Sequence, residues 1–493
     1  MRPPSNRLQS TYLSPDGEDY YPVPPEGLDV DLHNVNCDRY QVPLENRCGP
    51  WPHGSVKSLC PHQLLMTKEH HDQGAKLHEA LALALEDIIE RWWTDEEARL
   101  PQRMPLEPQE EDLLRWMNQN PLLIPPYREC QGSWRPDFLL ENGEDSNAME
   151  SFRICEINGR FCWNGYVQTA LAQEGVEVFN LDKKRLQHGA EPEAILGGLL
   201  GLFNHDLPLH LLKGEERGMD IHMFVAFMEE RLGVRPRLIT PTELRLIPDS
   251  ESKTGYKLCC LAGPQTPADR IFTLDSGEAV EEIHQVGLEL HQREFRVLSP
   301  EMMKELSVRG FNDMRTILLT HDKRMLGIVL QELSSLVARK VISPEDAARL
   351  ENGITPTILP GSAELDNLIG RSAASPQLKD GYILKPVRSG KGAGILFGDQ
   401  LSHADWQVKL EELTCPQLKP GRTVYVVQRK IDQLYYDIII GRSGKPTACH
   451  IVGTYHAVNG EFLGLGGWRC SPGRLCAVAD GATWTCSVRS AEY

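Results

Sequence analysis

No run of apolar residues in this 493-residue chain approaches the roughly 20 that span a bilayer, which argues against a membrane partner. An apolar signal region is missing near the N-terminus, and Val488-Arg489-Ser490-Ala491-Glu492-Tyr493 carries no prenylation, retention or peroxisomal address. The 13 cysteines are odd in number and contain no C-x-x-C pair, so the expectation is reduced thiols in a cytoplasmic protein. The vicinal Cys259-Cys260 lies in an expected strand and reads as core filler. Excess positive charge is lacking too: a formal charge of -17 argues against nucleic acid or an anionic membrane as the main partner, while allowing a local basic pocket. There is no internal repeat and no low-complexity tract. With 25% charged and 41% hydrophobic residues the composition is that of a globular protein, and the length fits roughly three domains.

The common nucleotide signatures are absent as well. Nothing reads Gly-Lys-Ser/Thr after a glycine loop, and there is no His-Arg-Asp or Asp-Phe-Gly. What is present is Tyr382-Ile383-Leu384-Lys385-Pro386-Val387-Arg388-Ser389-Gly390-Lys391-Gly392-Ala393-Gly394-Ile395-Leu396-Phe397, an apolar run, a glycine-rich basic loop and a second apolar run. This spells strand, loop, strand. Glycines at 390, 392 and 394 let backbone N–H groups approach a polyanion, with Lys385, Arg388 and Lys391 as counter-charge; an ordinary basic hairpin turn has the same composition.

Along the chain, residues 1–60 are rich in Pro, Asp, Asn and Gly and read as an extended or disordered arm. Leu77, Leu81, Leu85, Ile88 and Trp92 place one apolar stripe on a helix, and a second helix is expected from about Pro108. Two strands follow, around Asp137 and Glu156, joined through Asn142-Gly143. As a hairpin they put Asp137 opposite Glu156 in the same register as Leu140 opposite Arg153, and the period of two puts Glu156 and Asn158 on one face. Residues 171–315 alternate strand-like and helix-like segments, the texture of an open α/β domain, with strands at Val176 to Phe179, Leu209 to Leu212, Arg237 to Ile239 and Lys257 to Leu261. A helix begins at about Lys323, whose ammonium then sits at the helix entrance, and strands are expected at Thr423 to Gln428 and Tyr436 to Ile440.

Asp137, Glu156 and the amide oxygen of Asn158 suit Mg²⁺, which takes hard oxygen ligands beside phosphate and water; a solvated polar face is the alternative. His70-His71 has no matching ligand spacing and reads as a solvated face, whereas His456 is a general base only if it reaches the site.

Arg135-Pro136-Asp137, Glu156-Ile157-Asn158-Gly159-Arg160-Phe161, Asp322-Lys323 and Leu384-Lys385-Pro386 with its glycine loop together resemble the ATP-grasp superfamily. The Glu-x-Asn precedes the glycine loop, an order similar to the circularly permuted glutathionylspermidine synthase branch. The phrase running on to Trp163-Asn164-Gly165-Tyr166 resembles fungal ATP-grasp proteins of small-molecule biosynthesis. The resemblance implies a mixed α+β and α/β fold. Residues 61–170 would hold a helical segment and the metal hairpin, 171–315 a substrate-side domain, and 316–493 the nucleotide-binding region.

The resemblance further implies Mg²⁺ on Asp137, Glu156 and Asn158, and ATP on Lys323, Lys385, Gly390, Gly392 and Gly394. Gln428 would stand at the adenine hinge, and Arg135 and Arg469 would be catalytic. It implies a ligase that activates a small carboxylate as an acyl phosphate and joins it to an amine. A kinase on the same fold and a non-catalytic nucleotide-binding protein are the alternatives.

Overall fold

Alternating burial makes strands of Ser133–Glu141 and Ser151–Asn158. In the computed structural model, which describes residues 6–14, 19–47, 51, 55–142, 149–218, 220–419, 421–478 and 481–490, the two pair antiparallel. Asp137 stands opposite Glu156 and Arg135 opposite Asn158. Leu140, however, faces Phe152 and not Arg153, because the register shifts just after Asp137. Ile154 and Cys155 are buried in succession there, so the strand carries a bulge. Its consequence is functional. Without that extra residue, Glu156 and Asn158 would share the core-facing side of Phe152 and Ile154.

The hairpin belongs to a 12-stranded sheet. Ser133–Glu141 also pairs with Pro446–Thr454, setting Thr454 opposite Asp137, and that strand pairs with Gly467–Ser471, setting Val452 opposite Arg469. Thr483–Ser490 follows, then Leu64–Met66 and Gln9–Leu13. The N-terminal segment is thus more ordered than an arm. Gln9–Leu13 and Tyr20–Pro22 are strands, and Val30–Glu45 is a helix capped by the Asp29 carboxylate, which accepts from Leu32 N–H. An apolar template overlooks this helix because its buried face is polar: His33, Asn36, Cys37, Tyr40, Gln41 and Leu44 recur at helical spacing.

Helices Lys68–Glu90 and Pro108–Gln119 form as the spacing requires. His70, expected on a solvated face, is instead buried at the first helix's start, bonding Glu150 at 2.8 Å and Thr67 at 2.9 Å. Between the hairpin and residue 315 lies a parallel three-stranded sheet of Val286–Glu289, His210–Lys213 and Arg237–Ile239, with helix Asp220–Leu232 linking the last two. A four-stranded antiparallel sheet is inserted in sequence between Arg237–Ile239 and Val286–Glu289, and Cys259 and Cys260 are buried there. Val176–Phe179 is a 3₁₀ turn, not a strand: Val176 and Phe179 are buried three residues apart, continuing the end of helix Tyr166–Gly175.

A smaller sheet joins Thr357–Ile358, Tyr425–Arg429, Tyr382–Pro386 and Leu396–Phe397 around its own core of Leu365, Leu384, Trp406 and Val426. Leu384 pairs with Leu396, so the glycine-rich stretch is a strand-loop-strand hairpin. Residues 316–493 therefore divide between two sheets. The sheets meet at the bulge, where Thr355 N–H donates to Ile154 O at 2.9 Å and the Gln428 amide donates to Cys155 O at 3.2 Å. Among the described residues no helix is long and apolar enough to cross a membrane.

Candidate active site between two sheets

The bulged face of the large sheet carries Arg135, Asp137, Glu156 and Asn158, with Thr454 and Arg469 on the neighbouring strands. Asp137 is almost fully buried and collects donors from all of them but Glu156. Arg469 lies 2.6 Å away, Arg135 3.2 Å, the Asn158 amide nitrogen 3.2 Å and the Thr454 hydroxyl 3.1 Å. Because Asn158 spends its NH₂ on Asp137, its carbonyl oxygen faces away from that bond. The donor set offered by Asp137, Glu156 and Asn158 is thus all oxygen, the chemistry a Mg²⁺ ion requires.

Glu156 meets the cations of the opposite wall. Lys323 Nζ is 3.1 Å from its carboxylate and also donates to Ser389 O at 2.6 Å. Burial pushes the Glu156 carboxyl up, but the Lys323 and Lys385 charges outweigh it and hold the group well below the usual range. Lys323 caps the start of helix Arg324–Ala338, its own N–H donating to Val387 O, so helix and glycine hairpin are tied together at this point. Lys385 comes from Tyr382–Pro386 of the small sheet and is 6% exposed. Arg469 is opposed by burial but held charged by Asp137 and Glu156. Four cations, Arg135, Lys323, Lys385 and Arg469, therefore face two carboxylates, Asp137 and Glu156. The wall has a net positive charge in a low-dielectric setting, which favours an anionic ligand.

The glycine loop is built differently from its composition. Lys391, Gly392 and Gly394 have φ of 58°, 74° and 75°, so the two glycines serve a left-handed backbone. A Cβ at Gly390 would meet nothing within 4 Å, so the fold itself does not require glycine there. Arg388 is not free counter-charge. Its guanidinium binds Glu110 at 2.7 and 2.8 Å and Asp322 at 3.1 Å, fastening the loop to helix Pro108–Gln119 and to the bend before helix Arg324–Ala338. Lys391 is 2.9 Å from Glu216 of the α/β domain. Arg160, which the strand pattern left without a role, donates to Arg388 O and to Gln292 at 3.0 Å each. Arg160 and Lys323 thus grip successive carbonyls of the loop. Thr454 was also unassigned; only the pairing of its strand with 133–141 reveals it beside Asp137.

Two expected roles fit poorly. Gln428 is fully buried, its NH₂ spent on Cys155 O and on the Thr357 hydroxyl at 2.9 Å, so it joins the two sheets and does not present its amide to open space. His456 packs at a tilt against Tyr166 with centroids 4.3 Å apart, and burial, aided by the Arg135 charge, pulls its pKa down to about 3. A base that weak takes few protons from an amine at neutral pH.

A family model described as the AnkG N-terminal domain matches residues 77–319. Over 436 residues the chain is 39% identical to the ATP-grasp enzyme ankG of Aspergillus thermomutatus, covering 87% of this chain and 88% of that protein. The chain belongs to the ATP-grasp enzymes. Its ATP-grasp fold also resembles the ligand-free structure of a glutathione synthetase-like effector from Globodera pallida, at a TM-score of 0.52 and 14% identity, over 95% of this chain and 99% of that one. In this ATP-grasp enzyme the oxygen-bearing hairpin precedes the glycine-rich hairpin in sequence, yet both line the same cleft.

Proposed function

We propose that the protein is an ADP-forming carboxylate–amine ligase acting on a small acid, such as an amino acid, in biosynthesis. The observation that carries this reading is the face where Asp137, Glu156 and Asn158 offer only oxygen beneath four cations. A triphosphate and a carboxylate are both anions, and a wall with surplus positive charge lowers the cost of bringing them together. Mg²⁺ held by Asp137, Glu156 and Asn158 would supply Lewis-acid neutralisation of the phosphates. Lys323 and Lys385 bind the triphosphate, and the hairpin of Gly390 to Gly394 covers it and excludes water.

A substrate carboxylate oxygen attacks the γ-phosphorus, the bond to the bridging oxygen breaks, and ADP leaves. Arg469 steadies the phosphoryl oxygens. The amine then attacks the acyl carbon, Arg135 steadies the resulting oxyanion, and orthophosphate departs with one former carboxylate oxygen. The test is a panel of amino acids with Mg²⁺ and ATP. A condensed product with free orthophosphate supports a ligase, whereas phosphate retained on the product makes the protein a kinase.

A further inference from the structure

The antiparallel sheet inserted in the α/β domain meets the parallel sheet through two cross-strand pairs. On the parallel side His210 stands beside Arg237. On the other side Cys260 of Tyr256–Leu261 lies directly opposite Glu281 of Ala279–Glu282, so the two share one face of their sheet. His210, Cys260 and Glu281 are all buried, and one ligand atom from each lies within 4.8 Å of the others. His210 Nε2 is 3.5 Å and Cys260 Sγ 4.0 Å from the same Glu281 oxygen. The edges of a tetrahedral Zn²⁺ site measure about 3.3 to 3.7 Å, since its bonds run from about 2.0 to 2.3 Å. Those two separations are already close to that size.

A second observation comes from His210 itself. It is 1% exposed, and among the described residues neither of its ring nitrogens makes a hydrogen bond. Burying an imidazole without a partner is costly, and an ion that takes the lone pair of one nitrogen removes part of that cost. The surroundings of Glu281 fit as well. The Thr266 hydroxyl at 3.0 Å and the Arg237 guanidinium both donate to it, as an outer layer of donors does for a ligating carboxylate. Arg237 also has Glu243 at 3.8 Å, so its charge does not face a cation alone. One thiolate and one carboxylate neutralise a divalent ion, and a set of nitrogen, sulfur and oxygen donors suits Zn²⁺ far better than Mg²⁺.

We propose that His210, Cys260 and Glu281 bind one Zn²⁺ ion, which pins the inserted sheet to the parallel sheet. On binding, the Cys260 thiol releases its proton to solvent and its sulfur donates an electron pair to the ion. Three protein ligands leave the fourth position to water. The site shares no residue with the Asp137 face and does not depend on the ligase reading.

The test is the metal content of the full-length protein after equilibration with Zn²⁺ and gel filtration. Cys260→Ser should hold one Zn²⁺ per chain fewer than the native protein, whereas Cys259→Ser, altered on the opposite face of the strand, should hold as many. Equal contents in the native protein and Cys260→Ser overturn the proposal. Co²⁺ gives a second reading on the native protein should the serine variant fold poorly. A thiolate-to-cobalt charge-transfer band is expected in the near ultraviolet, reaching its plateau at one Co²⁺ per chain and lost in His210→Ala. Absence of the band, or its persistence in His210→Ala, contradicts the site.

Discussion

Helix Arg324–Ala338, about 22 Å long at 1.5 Å per residue, has a charged cluster at each end, and the two are opposites. Near its C-terminal end lies an open groove of about 1340 Å³ walled by Arg91, Arg103, Arg339 and Glu332. There these three guanidiniums meet carboxylates: Arg91 binds Asp87, Asp95 and Glu332, Arg103 binds Glu332, and Arg339 binds Asp87. At the N-terminal end Lys323 enters a cleft where cations outnumber carboxylates. The open groove has balanced charge, and its central pair, Arg91 with Glu332, is buried and self-sufficient. Unbalanced charge in a confined setting, not volume, marks where a ligand is needed.

The sharpest way to break this contrast is to change one atom type at each end. Glu156→Gln should lower Mg²⁺-ATP-dependent turnover by about a thousandfold in a protein whose circular dichroism shows the fold retained. Undiminished turnover would remove Glu156 from the metal site. Arg469→Ala, which frees Asp137 from its 2.6 Å partner, should cost about a hundredfold in kcat, with partial recovery in Arg469→Lys. At the other end Glu332→Ala leaves Arg91 and Arg103 facing each other and should cost about 2 kcal/mol of stability, read as a lower melting temperature. ATP affinity in that variant should stay at the native value, and a loss would make the groove part of the site after all.

The smallest effect concerns the α/β domain. Burial pushes the Glu289 pKa up to about 8 despite Lys213 at 3.3 Å. The folded value lies above the unfolded one, so the native state holds a proton that the unfolded chain releases. Its stabilising contribution is present in full below the ordinary value of 4.5 and is lost as pH rises through about 8. Glu289→Gln should flatten the fall of melting temperature across that window; an unaltered slope would show that another group titrates there.

Much of the site was legible because it is local. Asp137, Glu156 and Asn158 follow from period-two alternation and a hairpin, and Lys323 and Lys385 from a helix start and a strand. The bulge at Ile154-Cys155 was not legible, although it turns Glu156 outward, because two successive buried residues look like any apolar pair. Gln428 misled for the opposite reason. Its strand position was read correctly, but which face it presents depends on the second sheet packing against Cys155. Arg388 looked like free counter-charge until Glu110, 278 residues away in the chain, proved to be its partner. The Val30–Glu45 helix escaped because hydrophobic periodicity cannot register a polar buried face. Long-range pairing and polar burial are the two things composition does not encode.

Phosphoryl transfer to a carboxylate is the step proposed for the positive cleft beside Asp137 and Glu156. The direct measurement is ³¹P NMR of the protein with Mg²⁺, ATP, an amine and a panel of amino acids labelled with ¹⁸O in the carboxyl group. The expected products are ADP and orthophosphate in equal amounts, the orthophosphate carrying one ¹⁸O. AMP with pyrophosphate, or orthophosphate without label, would contradict it.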